Sequence, residues 1–245
     1  MPRKKISIVI PAKNEADNLP TLLTEIVSAV SLNCAEIIVV DDGSNDNTSD
    51  VVSALIPTLG VPCKLLYHKH SCGQSTSVYH GVQAAQGDWI ITLDADGQND
   101  PADIPKLIAV ADSCTTPHFC IIGHRHKRKD SHWKRIQSRV ANSVRQWVLG
   151  DNTPDTGCGL KLLPRTTFNQ LPYFDHMHRY TPALVKRLGG TIVSVPVNHR
   201  PRHKGQSNYT AWNRGWAGII DMLGVRWLMY RNRNEAVWEK ETREG

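Results

Sequence analysis

Short apolar runs recur along the first part of the chain, and most are followed by a longer stretch whose apolar positions return at helical spacing. Lys5 to Ile10 predicts a first strand, and Asp17 to Val30 a helix with Leu19, Leu22, Leu23, Ile26, Val27 and Val30 along one side. Glu36 to Val40 predicts a second strand and Asp46 to Leu55 a helix stopped near Pro57. Cys63 to His68 follows as a strand, Gln74 to Ala85 as a helix closing at Gly87, and Trp89 to Leu93 as a fourth strand. Strands alternating with helices in this way indicate parallel βαβ units, hence an α/β class with a nucleotide-binding half-domain.

Beyond Pro101 the pattern predicts a short helix (Asp103 to Ala111), a strand from Phe119 to Gly123, and a helix within His132 to Leu149. That last helix carries Ile136, Val140, Val144, Trp147 and Val148 on one face, with Arg135, Arg139 and Asn142 beside them. Gly159 to Leu163 and Thr191 to Val197 read as strands, and Tyr180 to Leu188 as a helix ending at Gly189-Gly190. The final apolar segment, Ala211 to Tyr230, places Trp212, Trp216, Ile219, Ile220, Leu223 and Trp227 on one side. Asp221 and Arg226 interrupt it, which argues against a bilayer span. Tryptophans beside arginines suit either a membrane interface or docking on the domain or a sister subunit.

Chemistry enters where the strands end. Ile37-Ile38-Val39-Val40 runs into Asp41-Asp42-Gly43-Ser44, and Ile91-Thr92-Leu93 runs into Asp94-Ala95-Asp96-Gly97-Gln98. Ligands of open α/β sheets sit beyond the carboxyl ends of the strands. Two acidic strand ends therefore predict one crevice holding a hard cation, Mg²⁺ or Mn²⁺, shared with a diphosphate. Asp, Asn and Gly also mark ordinary turns, but two such ends after sharp apolar runs favour a ligand site. Glu15, just past the first strand, enters the same crevice, and Asp41 or Asp42 can accept hydrogen bonds from a nucleobase or ribose. The turn after the first strand reads Pro11-Ala12-Lys13-Asn14-Glu15, which lacks the glycines of a dinucleotide site, and no Walker A sequence occurs.

Charge sharpens the picture. Lys and Arg exceed Asp and Glu by 29 to 23, and between Arg125 and Arg145 eight basic residues stand against the single acid Asp130. A second basic cluster spans His199 to Lys204, and Arg226, Arg231 and Arg233 form a third. Such patches attract phosphorylated ligands, anionic membranes or nucleic acid. A nucleic-acid module leaves the acidic strand ends unexplained and lacks an aromatic RNA-binding signature, so no nucleic-acid partner is expected. The six cysteines are scattered without a CxxC pair, which predicts reduced thiols and no zinc site. The basic start is followed by an apolar run too short for a signal peptide, so a cytoplasmic location is expected.

Taken in order, Pro11 to Glu15, Val39 to Ser44, Leu93 to Gln98, Gly123-His124-Arg125, Asp155 to Gly159 and Arg202 to Ser207 resemble the signature of glycosyltransferase family 2, whose fold is GT-A. The longer pattern, from about Ile6 to Leu228, is similar to dolichol-phosphate mannosyltransferases and bacterial undecaprenyl-phosphate glycosyltransferases. The resemblance implies a catalytic domain over residues 1–210, and 211–245 as an amphipathic helix and basic tail that touch membrane or another subunit. It implies a UDP- or GDP-linked sugar donor contacting Pro11, Ala12, Glu15, Val39, Asp41, Asp42, Asp94 and Ala95. Asp94, Asp96 and Gln98 would hold the metal, with Asp96 also catalytic. Arg125, Arg135, Arg202 and Ser138 would bind the phosphate of a polyprenyl acceptor, the arginines also stabilising developing charge. The protein would then sit peripherally at the inner face of the membrane, and direct displacement would invert the anomeric carbon. A family member acting on a soluble or polysaccharide hydroxyl is the alternative, and would need a carboxylate base. The chain departs from the pattern at Lys13, where relatives often carry Tyr, and at Ser207-Asn208, where many carry Ser-Lys.

Overall fold

The computed structural model describes residues 4–30, 35–125, 143–151, 153–201 and 211–232, with 35 and 211–217 described for their backbone alone. Seven strands, β1 (Ile6–Ala12), β2 (Ala35–Asp41), β3 (Cys63–Tyr67), β4 (Trp89–Thr92), β5 (Phe119–Arg125), β6 (Lys161–Pro164) and β7 (Thr191–Val197), form one sheet in the order β3-β2-β1-β4-β6-β5-β7. The helices are α1 (Leu19–Ala29), α2 (Thr48–Leu55), α3 (Gln74–Gln83), α4 (Ile104–Asp112), α5 (143–149), α6 (Arg165–Phe168), α7 (Thr181–Arg187) and α8 (Ala211–Tyr230).

The alternation of side chains along the strands explains why the sheet is sandwiched. Ile6, Ile8, Ile10 and Ala12 of β1 join Ile37 and Val39 in a core cluster with Leu19, Leu22, Leu23 and Ile26 of α1 and Leu107 of α4. Val9, Ile38 and Val40 point the opposite way, into a second cluster with Val78 and Val82 of α3, Leu184 of α7 and Val225 of α8. Strands buried on both faces need near-continuous apolar runs, which is what the sequence supplies. At Gly81 the α3 backbone approaches so closely that an added Cβ would strike Val9, and this lets α3 lie flat across β1.

Strands β1, β2, β3 and β4 are mutually parallel, as the alternating pattern predicts. The half after β4 is less regular. β6 runs antiparallel to both neighbours, pairing Ile91 with Leu162 and Ile121 with Leu162, while β5 and β7 are parallel to each other. The reversal carries the segment before β6 back over the carboxyl ends of β4 and β5.

Two predicted faces are corrected. In α5, Val144 and Trp147 are exposed, Trp147 at 86%, whereas Arg145 and Leu149 are buried. The guanidinium of Arg145 turns inward because the 151–156 loop offers it acceptors, the Thr156 hydroxyl and the Thr153 carbonyl, with Asp151 at 3.4 Å. Ile136, Val140, Arg139 and Asn142 lie outside the described residues. In α8 the docking side is formed by Val225 with Met222, Leu228 and Met229, while Ile219, Ile220, Leu223, Trp227 and Tyr230 face outward. Polar contacts pin the helix: Tyr180 donates to the Gly218 carbonyl at 2.9 Å, Arg187 to that of Leu228 at 3.2 Å, and His176 Nδ1 lies 2.9 Å from Asp221.

Candidate active site

Because β1, β2 and β4 are parallel neighbours, their carboxyl ends open side by side, and their loops are laced together. Asn14, in the left-handed region at φ 56°, donates its N–H to Ser44 at 2.9 Å and accepts from Asn45 N–H at 2.8 Å. Glu15 N–H donates to Thr48 at 3.0 Å, and Asp42 N–H to the Ala12 carbonyl at 2.8 Å. Glu15 itself takes the Asn18 amide at 2.5 Å. Pro11 is partly exposed at the rim, whereas Ala12, Val39 and Ala95 are buried.

Asp41 and Asp42, side by side in sequence, hold different things. Asp41 accepts Ser44 N–H at 2.9 Å and the Ser49 hydroxyl, tying the start of α2 to the end of β2. Asp42 is 5% exposed and accepts from His68 Nδ1 (2.8 Å), the Ser71 hydroxyl (2.7 Å), Cys72 N–H (2.7 Å) and Gly73 N–H (3.0 Å). Burial pushes its carboxyl up, but these donors outweigh burial and hold it below the usual range. Asp42 is thus the clamp of the 68–73 loop.

That loop delivers Gln74, the first residue of α3, whose amide donates to Asp94 at 2.8 Å. Asp94 is packed against Gly159 so tightly that a Cβ there would overlap the carboxylate. Burial and then the neighbouring Asp96 push the Asp94 carboxyl up, and Lys161, Arg125 and the Gln74 bond only partly offset them. Asp96 accepts Gln98 N–H at 3.1 Å. The main-chain carbonyl of Gln98 accepts Arg200 N–H at 2.9 Å, and the Gln98 side-chain amide oxygen is a further donor for an ion. Two crowded carboxylates of hard oxygen, one of them destabilised by the other, are a set that a divalent cation satisfies. The residues present fit Mg²⁺ or Mn²⁺.

Across from Asp94, Arg125 at the end of β5 is gripped by Asp155, Nε to Oδ2 at 2.6 Å and Nη2 to Oδ1 at 2.7 Å. Burial lowers the basicity of Arg125 and the Asp155 pair more than restores it. Asp155 therefore orients the arginine, leaving its Nη1 edge uncommitted to that pair. Arg200 bridges Glu25 of α1 (2.6 Å) and Asp100 (2.7 Å), beside a cleft of about 200 Å³ lined by Asp17, Thr21, Leu22 and Gly97. Arg135, Ser138 and Arg202, expected on the acceptor side, lie outside the described residues.

The sequence assigns no role to Gln74 or Lys161, and His178 is set aside there as a metal ligand. Gln74 read only as a helix start, although it follows a glycine at φ 90°. Lys161, 5% exposed and bonded to the Cys158 carbonyl at 2.6 Å, was signalled by a lysine inside an apolar strand. His178 is partly buried against the first turn of α3, with Ser75 Oγ at 2.7 Å from its Nδ1, and desolvation holds its pKa well below the usual value. Cys158 is packed at 0% exposure, its thiol directed to Asn99 at 3.4 Å, as a small core residue rather than a nucleophile.

Comparison with known proteins adds an independent line. The model of the family described as glycosyl transferase family 2 matches residues 7–171. Undecaprenyl-phosphate 4-deoxy-4-formamido-L-arabinose transferase of Yersinia pestis (strain Pestoides F) is 34% identical over 214 residues, covering 85% of this chain and 64% of that protein. Its counterpart from Klebsiella pneumoniae is 32% identical over 212 residues, again with 85% and 64% coverage. The chain thus spans about 64% of the length of these relatives. Among solved structures, glucosyl-3-phosphoglycerate synthase from Mycobacterium tuberculosis, in complex with Mg²⁺ and UDP, superposes with a TM-score of 0.68 at 20% identity, covering 91% of this chain and 79% of that one. A mannosyltransferase from Pyrobaculum calidifontis, in complex with GDP-Man and Mn²⁺, gives 0.68 at 18% identity, covering 96% and 66%. At such identities the likeness establishes the GT-A-like fold.

Proposed function

The chain belongs to glycosyl transferase family 2, and we propose that it moves a sugar from a UDP- or GDP-linked donor to a polyprenyl phosphate, undecaprenyl or dolichyl, with inversion at the anomeric carbon. The observation that carries this reading is the crowded Asp94–Asp96 pair at the end of β4, faced by Arg125 held in a bidentate grip. Asp94 and Asp96, with Gln98 beside them, would hold Mg²⁺ or Mn²⁺. Such an ion neutralises the diphosphate leaving group. The laced loops at Pro11 to Glu15 and Asp41 to Ser44 form the rigid wall for the nucleoside.

An acceptor phosphate monoester has a second pKa of about 6 and is already an anionic nucleophile at neutral pH. The site then has no need of a carboxylate base; it needs cations that bring one anion onto another. Arg125 provides one, and we assign Arg135 and Arg202, with the Ser138 hydroxyl, to the same task. No helix among the described residues is long and apolar enough to cross a membrane. The outward row of Ile220, Leu223, Trp227 and Tyr230 on α8, flanked by the exposed Arg226 and Arg231, suits peripheral contact with an anionic inner leaflet. The 34% identity to an undecaprenyl-phosphate sugar transferase supports the same acceptor class.

The test is direct. Purified protein is incubated with Mn²⁺, polyprenyl phosphate and a panel of radiolabelled nucleotide sugars, and the organic phase is counted. Label from one donor, absent with Asp96→Ala, is expected. Label appearing only in a water-soluble product would overturn the lipid acceptor and favour a soluble hydroxyl.

A further inference from the structure

The clamp that holds the 68–73 loop has a chemistry that a purely structural clamp does not require. Asp42, His68 and Cys72 bring a carboxylate oxygen, an imidazole nitrogen and a thiol sulfur within 4.8 Å of one another. They come from the end of β2, the segment after β3 and the turn before α3, so no spacing motif announces them, and the expectation of no zinc site rested on such spacing. His68 Nδ1 is 2.8 Å from Asp42 Oδ1, and its Nε2 is 2.9 Å from His80 Nδ1. Cys72 is exposed, whereas Cys63, Cys120 and Cys158 are pushed up to about 11, 12 and 11 by burial and are poor competitors as thiolates.

We propose that Asp42, His68 and Cys72 form a second metal site, separate from Asp94 and Asp96, that takes a thiolate-seeking divalent transition ion such as Zn²⁺. Oxygen, nitrogen and sulfur from three residues, with a fourth position open to solvent, form an accepted zinc donor set. Hard Mg²⁺ has little affinity for the sulfur, so the two sites sort ions by ligand softness.

The hydrogen bonds show how the ion would be accommodated. For a neutral His68, Nδ1–H donates to Asp42 and Nε2 accepts from His80 Nδ1–H. On binding through Nδ1, the His68 proton resides on Nε2 and is donated to His80 Nδ1, whose own proton moves to its Nε2. His80 then becomes the outer partner that fixes the ligating tautomer. The Cys72 thiol proton is released to solvent, the one net proton lost. Asp42 keeps the Ser71, Cys72 and Gly73 bonds and exchanges only the His68 bond for the ion. The loop that the ion would lock leads straight to Gln74 and its bond to Asp94. The proposal does not depend on the transferase reading.

Cobalt substitution tests it. Co²⁺ is titrated into the protein in excess Mg²⁺, and the sulfur-to-cobalt charge-transfer absorption is followed. One equivalent of band is expected, retained in Asp96→Ala, lost in Cys72→Ser, and requiring roughly 10- to 100-fold more Co²⁺ in His80→Gln. A wild-type protein without the band, or a band that survives in Cys72→Ser, would overturn the site. Because the readout is spectroscopic, a failed transferase assay leaves this result unaffected.

Discussion

Substituting Asp42 by asparagine separates a structural clamp from a nucleotide contact. The carboxylate accepts four hydrogen bonds, two of them from backbone N–H groups at 2.7 and 3.0 Å. An amide keeps one oxygen. Oriented to retain His68 and Cys72, it turns its NH₂ toward Ser71 and Gly73. The Ser71 hydroxyl can rotate to accept, but the Gly73 N–H cannot. One buried donor left unsatisfied costs about 1–3 kcal/mol, and bonds to a neutral acceptor are roughly half as strong as those to a carboxylate. D42N should therefore lose about 2–4 kcal/mol. Urea unfolding at pH 7 with EDTA present measures this as a fall in midpoint at constant slope, on the order of 1–2 M for a slope near 2 kcal/mol/M. The sign with pH follows from the lowered carboxyl: its contribution is present above the ordinary value of 3.8 and is lost as pH falls through the folded value, so the gap between wild type and D42N narrows on acidification. A loss below about 1 kcal/mol, accompanied by weakened nucleotide binding, would refute the clamp and restore Asp42 to the nucleotide.

Two further outcomes are expected. Gly159→Ala drives a methyl into the Asp94 carboxylate, so transferase activity should fall by at least about 100-fold while overpacking costs only about 1–3 kcal/mol of stability; near-normal activity in a folded variant would show that Asp94 tolerates displacement. His178 is held neutral by burial, so below its ordinary value of 6.5 only the unfolded chain takes up its proton and stability falls with pH by about 1.4 kcal/mol per unit until the folded value is reached. His178→Gln should flatten that part of the wild-type stability profile, measured by unfolding from pH 7 to 5, and an unchanged slope would remove His178 as its source.

The pattern of the chain by itself determined the strand–helix alternation up to β4, the parallel pairing it implies, and the two acidic strand ends. These features are local: a strand buried on both faces must be apolar throughout, and a carboxylate after it must sit at the strand's end. The six ordered motifs of the resemblance carried the family and the GT-A fold on the same local basis. What the pattern did not decide were partners far apart in the chain. Asp41 and Asp42 look alike in sequence, yet one ties α2 and the other the 68–73 loop, because their side chains leave the strand on opposite sides. Val144 and Trp147 have the spacing of a buried face, but Arg145 took the interior once the 151–156 loop brought it acceptors. Lys161 and Gln74 converge on Asp94 only because β6 reverses direction and the 68–73 loop is clamped. Hydrophobic spacing encodes which face of an element is available; the long-range hydrogen bonds and ion pairs that claim a polar group are settled only when the elements pack.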